Sequence, residues 1–336
     1  NFLLDGTDIN NVYNKTPGSV AGVLLGVEAV LEFQVLTNAY SAEFGRSAGG
    51  VINAVTRSGT NAFHGSAFEF HRNSALDAKN YFDPKDKPTP PFKRNQFGGV
   101  LGGPLRKNRT FFFGAYEGLI ERLGITGVTN VPDLNARQGI LPGGRTVTLD
   151  PAIPAYLETF FPLPNGRSLG GGAAEYLFTR AQPTDEHFVQ GRIDHRFAGG
   201  DLVFGRYTIS DGKVDRQPAN KPPVAFTKES SRNQYLTVEH QHIFSPSVLN
   251  TQRGGINRSV QLAQNVRTTN IPPELSWIPG EAFGYFTISG LVTEAAGDFR
   301  LPRFDRLNNF QIGDTLFLTR GRHSTRLGFQ GQYIQF

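Results

Sequence analysis

His240 and His242 stand two residues apart in QYLTVEHQHIFS (residues 234–245). In an extended chain that spacing puts both imidazoles on one face, where a third donor would complete a metal site. The plainer reading is a pair of structural histidines near a membrane interface, and no metal or other cofactor is assigned. Glu186 and His187 are adjacent, but no serine motif of the hydrolase type lies nearby and no His-Glu-x-x-His run occurs. The carboxylates are numerous, yet none forms a pair suited to glycoside hydrolysis. The glycines match neither the P-loop nor the dinucleotide fingerprint. Cysteine is absent, which removes thiol nucleophiles, disulfides and zinc knuckles together. The residues that carry chemistry therefore point away from an enzyme.

The composition says what must position them. Among 336 residues there are 39 Gly, 28 Phe and 10 Tyr but a single Trp, a balance that favours β-structure with many turns. Mean hydropathy is −0.32, and no apolar run of about 18 residues or more occurs. The nearest, residues 20–36, contains Glu28 and Glu32, so neither a membrane-spanning helix nor a signal peptide is expected. The net charge of +5 raises the question of nucleic acid. Its basic residues are scattered, with the densest groups at 85–87 and 106–109 in expected loops, and no nucleic-acid partner is assigned. The chain starts at Asn1 and has no Met, so a piece of a longer protein or a processed chain is expected.

Residues 1–60 read as a small mixed α/β segment. Residues 1–5 suggest a short strand leading into the turn Asp5-Gly6-Thr7-Asp8, and residues 20–26 a short helix. Residues 30–37 and 49–57 (GGVINAVTR) suggest two more strands. From Asn61 the pattern becomes segments of about ten residues with period-two alternation. About nine such strands are expected, over 64–71, 95–105, 110–119, 186–197, 201–210, 234–244, 248–259, 308–319 and 325–335. In 186–197 one face is Phe188, Gln190, Arg192, Asp194 and Arg196, and the other Val189, Gly191, Ile193 and Phe197.

Connections alternate between long and short. Long ones are expected at 72–94, 120–185, 211–233 and 260–307, short ones at 106–109, 198–200, 245–247 and 320–324. All long connections then lie at one end of the sheet, the asymmetry of a transmembrane β-barrel with short periplasmic turns and long extracellular loops. The physics is simple: in lipid every backbone amide needs a partner within the protein, so a spanning sheet must close on itself. One face of each strand meets acyl chains and the other a wet or filled lumen. So many polar residues on the second face argue against the dry core of a soluble sandwich.

The run EFQVLTNAYSAEFGRSAGGVINAVTRSGTNAFHGSAFEFHRN (residues 32–73) resembles the end of the plug and the first barrel strand of TonB-dependent outer-membrane receptors, Oar-like branch. FLLDGTDINN (2–11), GGVLGGPLRKNRTFFFGAYEG (98–118), RIDHRF (192–197) and GRHSTRLGFQGQY (321–333) are similar to further segments of that branch. The resemblance implies an all-β antiparallel transmembrane barrel of about 22 strands. This chain would supply about nine of them (61–336), with the C-terminal part of a small α/β plug in 1–60. It further implies an outer membrane of Gram-negative type and contact with its lipid. Energy-coupled passage of a large extracellular solute (oligosaccharide, peptide or chelate) would be driven by the TonB–ExbB–ExbD complex. The TonB box, early plug and later strands are expected outside this chain, and the closing Phe336 is read as a coincidental resemblance to a barrel-assembly signal.

On that frame Glu43, Arg46 and Arg57 are candidates for charged plug–barrel contacts broken during gating. Aromatic residues in the long loops, namely Tyr81, Phe82, Phe92, Tyr156, Phe160, Phe161 and Trp277, are candidates for substrate contact, or for loops packing on one another. The competing reading is a non-transporting cell-surface adhesin or carbohydrate-binding β-protein. It would pack residues 1–60 outside the sheet, against its apolar face.

Overall fold

The computed structural model describes residues 1–11, 18–22, 26–37, 49–79, 88–281 and 283–336. Strand β1 (Phe2–Leu4) and strand β2 (Thr7–Asp8) form a hairpin closed by Asp5 and Gly6. Both turn residues have positive φ, 48° and 74°, as a two-residue hairpin of this hand requires. Strands β3 (Val30–Leu36) and β4 (Val51–Thr56) complete a four-stranded sheet in the order β2-β1-β4-β3. The β1–β4 pair is parallel and its neighbours are antiparallel. The helix expected over 20–26 is not what the described residues form. Residues 20–22 turn, with Gly22 N–H donating to the Ser19 carbonyl, and a short 3-10 turn (Val27–Ala29) leads into β3.

After Thr56 the chain crosses to a large antiparallel wall. Its first strands are β5 (His64–Asn73), β6 (Phe92–Arg106) and β7 (Thr110–Pro132). A three-residue strand, β8 (Ser168–Gly170), folds onto the start of β9 (Ala173–Arg196). Next come β10 (Leu202–Arg216), β11 (Ala225–Ser245) and β12 (Val248–Arg267). A separate hairpin, β13 (Phe286–Ile288) with β14 (Val292–Ala295), precedes β15 (Arg303–Arg320) and β16 (His323–Gln335). The nine long strands form a meander in which each pairs with its sequence neighbour, from β5 at one edge to β16 at the other. Its only α-helix among the described residues, α1 (Ile153–Phe160), lies in a loop, and no helix there is long and apolar enough to cross a membrane.

The strands outrun the sequence expectation, and the long connections shrink accordingly. β7 and β9 stay in register from Thr110 opposite His195 to Pro132 opposite Ala173. The connections run over 74–91, 133–172, 217–224 and 268–302 instead of 72–94, 120–185, 211–233 and 260–307. The 24 residues of β9 reach about 80 Å at about 3.4 Å each, where a tilted spanning strand needs only about 9–11 residues. Beyond the membrane the outer face of a strand meets water instead of lipid and the inner face packs under the connections, so apolar/polar alternation fades while backbone pairing continues.

The wall is polar inside and apolar outside. Buried positions at alternate residues include Glu117, Glu186, Gln190, Arg206, Thr208, Ser210, Asn233, Thr237, Glu239, Asn257 and Asn309. Their neighbours of the other parity carry the exposed apolar residues, among them Tyr116, Val189, Ile193, Tyr207, Leu236, Val238, Phe310, Ile312, Leu327 and Phe329. A water-soluble sheet would reverse this arrangement, whereas lipid demands it. Along the short-turn rim His195 meets Phe197 and His242 meets Phe244 edge to face, at 4.4 and 4.2 Å between centroids, an aromatic border of the kind found at membrane interfaces.

Candidate functional site: the charged contact on the inner face

The four-stranded sheet is seated on the polar face of the wall, and the Asp5-Gly6 turn is its leading edge. With φ positive at both residues the hairpin reverses in two residues and projects the Asp5 carboxylate forward. Asp5 Oδ1 accepts from the Thr56 N–H and Oδ2 from the Thr56 hydroxyl, both at 2.8 Å, which binds the hairpin to β4. The same Oδ2 stands 3.1 Å from Arg206 Nη1 and 3.6 Å from Arg192 Nη1, both on the wall. Arg192 is itself paired with Asp194, donates to Thr56 Oγ1 at 2.9 Å and lies over the Phe204 ring at 4.0 Å. Arg206 is fully buried. Its Nη2 donates to Thr237 Oγ1, which lies 2.8 Å from Thr7 Oγ1. Among the described residues Arg206 Nε and Nη1 make no hydrogen bond, so Asp5 holds Arg206 by charge more than by directed bonding.

Around this centre the backbone of the small sheet is read by wall side chains. The Gln311 amide pairs with the Asp8 main chain, accepting at 2.8 Å and donating at 2.9 Å, as a neighbouring strand would. Asn257 donates to the Asn10 carbonyl at 2.8 Å. Glu117 accepts from the Gly26 N–H at 2.8 Å and from Gln96 at 2.6 Å. Ser231, Asn233 and Arg216 bond the main chain at 18–20. Such partners satisfy a buried backbone while leaving it free to be released to water.

Gly26 and Gly255 are among the glycines that allow the close approach. A Cβ on Gly26, where φ is 91°, would fall 2.3 Å from the Phe188 ring, and one on Gly255 of the wall would fall 2.6 Å from Thr7 Cγ2. At the exit, Asn61 and Asn108 exchange bonds, Nδ2 of Asn61 to Oδ1 of Asn108 and the Asn108 N–H to Oδ1 of Asn61, both 2.7 Å. The passage from small sheet to wall is thereby pinned to the β6–β7 turn.

Of the residues expected to make these contacts, only Arg57 is among those described. Arg57 is exposed and its Nε donates to the Val30 carbonyl at 3.1 Å, inside the small sheet and not on the wall. Glu43 and Arg46 lie outside the described residues. The meeting of Asp5 with Arg192 and Arg206 is not legible in the sequence, because it joins residues far apart in the chain. The available signal was an Asp-Gly turn together with arginines on the polar face of otherwise regular strands.

The loop aromatics divide. Tyr81 and Phe82 lie outside the described residues. Phe92 is half-buried on β6 beneath the Arg72 guanidinium, 4.9 Å from its ring centre. Phe160 and Phe161 are buried with Val131, Val224, Leu275 and Phe283 in an apolar cluster shared by three connections, and Tyr156 packs against it. The Tyr156 hydroxyl donates to the Leu275 carbonyl at 2.8 Å, and Arg137, whose pKa is lowered by burial, donates to the Pro162 carbonyl at 2.8 Å. Only Trp277 of the loop candidates so placed is largely exposed, at 59%, resting edge-on against Phe283.

A wall of antiparallel strands, apolar outside and polar inside, with long connections at one end, is the build of a membrane β-barrel. The chain belongs to the outer membrane beta barrel domain family, whose model matches residues 55–336. Over 169 residues it is 33% identical to the TonB-dependent transporter Oar of Myxococcus xanthus, an alignment covering 48% of this chain and 15% of that protein. A mutant ferric enterobactin receptor of Pseudomonas aeruginosa, solved in complex with enterobactin, is similar over 99% of this chain and 41% of its own, with a TM-score of 0.51 and 13% identity. The ferripyoverdine receptor of the outer membrane of the same organism, bound to ferripyoverdine, gives a TM-score of 0.47 and 12% identity over 99% of this chain and 45% of its own. The chain thus spans about a seventh of the curated relative and under half of these two receptors. It is an outer-membrane β-barrel protein, and the relatives named here are a transporter and receptors, not enzymes.

Proposed function

We propose that the chain is the plug–barrel junction of an energy-coupled outer-membrane transporter. Residues 1–60 are the wall-facing end of a plug, and 61–336 the adjoining part of the barrel. The observation that carries this reading is the seat of the small sheet. It lies on the polar inner face through Asp5, Thr7 and Asp8, not on the apolar outer face where an adhesin would pack it. Side chains that bond the small sheet's main chain, with one buried charge pair at the centre, make a contact that is specific when closed and can re-form after opening. Exposed charge pairs in such a lumen are individually worth about 0–1 kcal/mol, whereas parting the buried Asp5–Arg206 pair strands a buried charge, which makes the closed contact specific. The pull comes from the TonB–ExbB–ExbD complex acting on a segment outside this chain, and the cargo is a large solute such as an oligosaccharide, a peptide or a chelate.

The test requires no knowledge of the cargo. Thr7→Cys places a thiol at a buried position of a chain that otherwise has none. In the full-length protein in energised cells, a membrane-impermeant maleimide should label it several-fold faster than after a protonophore has collapsed the proton-motive force. Equal labelling under both conditions would count against energy coupling and favour the adhesin reading.

A further inference from the structure

The sequence places His240 and His242 on one face of a strand; the fold supplies the third donor. Asp201 closes the short turn between β9 and β10, and β10 lies between β9 and β11 in the wall. Its Oδ2 is 3.3 Å from His240 Nε2 and its Oδ1 is 2.5 Å from His242 Nδ1. One ligand atom from each of the three residues falls within 4.8 Å of the others. All three side chains are about one-third exposed, on the outward side of the short-turn rim next to Phe244. They are therefore separate from the charged contact on the inner face.

We infer that Asp201, His240 and His242 form a site for a divalent transition-metal ion. An ion bonded to imidazole nitrogen and carboxylate oxygen at about 2.0–2.2 Å in tetrahedral geometry spaces its donors about 3.3–3.5 Å apart. The His240–Asp201 separation already matches. The His242–Asp201 contact is a hydrogen bond, and it opens by about 1 Å when the ion takes the place of the shared proton. Partly exposed imidazoles have room for that rotation, and the Phe244 ring against His242 is itself exposed and can follow. Two imidazoles and one carboxylate select Zn²⁺, Ni²⁺ or Cu²⁺ over Mg²⁺ and Ca²⁺, which take oxygen donors, and water completes the coordination. The bound ion ties the β9–β10 turn to β11, a rivet at the rim where short turns leave the membrane.

The experiment is zinc titration of the full-length protein in detergent micelles by calorimetry, with magnesium as a control. One saturable zinc site per chain is expected, absent for magnesium. Asp201→Asn and His242→Ala should each weaken it more than tenfold, while His195→Ala, another rim histidine bonded instead to Thr110, leaves it unchanged. Each variant is scored only if it keeps the heat-modifiable gel mobility of a folded barrel. Copper loading adds an independent readout, because two imidazole nitrogens give resolved coupling in the electron paramagnetic resonance spectrum. Absence of a saturable site, or one that survives both triad variants in folded protein, would overturn the inference.

Discussion

Replacing Asp5 by Asn removes a single charge and leaves the shape of the hairpin turn nearly unchanged. The carboxamide oxygen introduced there can still accept from the Thr56 N–H, so the link between turn and β4 survives in part. What is lost is the partner of Arg206, whose Nη1 is 3.1 Å away and whose side chain is fully buried. Arg192 retains Asp194, so the orphaned cation is Arg206. Stripping one member from a buried pair costs about 3–5 kcal/mol, and the lower end suits a lumen that admits water. About 3 kcal/mol corresponds to roughly a hundredfold shift toward the undocked state. Native-state hydrogen exchange on the full-length protein in micelles would read this directly. Amides over 51–56 should exchange about a hundredfold faster in Asp5→Asn, while those over 202–210 in the wall keep their rates. The double variant Asp5→Asn with Arg206→Met should recover most of the protection, because the uncompensated charge has gone too. Unchanged exchange in Asp5→Asn would refute the reasoning, as would a double variant whose losses simply add.

Three further outcomes follow from the same structure. Val189→Arg, on the outward face, 45% exposed to the space lipid would fill and well in from the His195 rim, should cost about 2–4 kcal/mol when unfolding is measured by urea titration in lipid vesicles; Gln190→Arg on the inner face should not show this lipid-depth dependence. Gly26→Ala should undock its segment, since φ is 91° and the added methyl would overlap the Phe188 ring, and faster exchange of the residue 26 amide, now bonded to Glu117, would register it. In the connection 268–302, bonding and charge from Arg300 lower the Asp298 pKa from an ordinary 3.8 to about 2. A depressed carboxylate contributes stability above its unfolded value and loses it as pH falls through the folded one. Protease cleavage in 268–302 should therefore rise between about pH 4 and pH 2, and Asp298→Asn should abolish that rise.

The sequence alone determined the wall. Strict alternation in residues such as 186–197 assigns one face to lipid and one to the lumen, because side chains of a strand alternate whatever its partners are. Turn chemistry at 106–109, 198–200, 245–247 and 320–324 located the short-turn end, and the Asp5-Gly6 pair announced its hairpin. The ends of the strands were not legible in the same way. Beyond the expected ends β7 and β9 face water on the outside and the converging connections on the inside, so backbone pairing between Thr126 and Thr179 and their neighbours shows the sheet continuing where the alternation does not. The fate of the loop aromatics was equally hidden, since whether Phe160 meets a solute or Phe283 depends on three connections converging. Tertiary structure also decided the site. Asp5 becomes a charge lock only when the small sheet brings it to Arg206, and His240 with His242 becomes a triad only when a distant turn delivers Asp201. Periodicity is a local property and survives in one dimension; a charge pair or a metal site is a coincidence of distant residues that only folding creates.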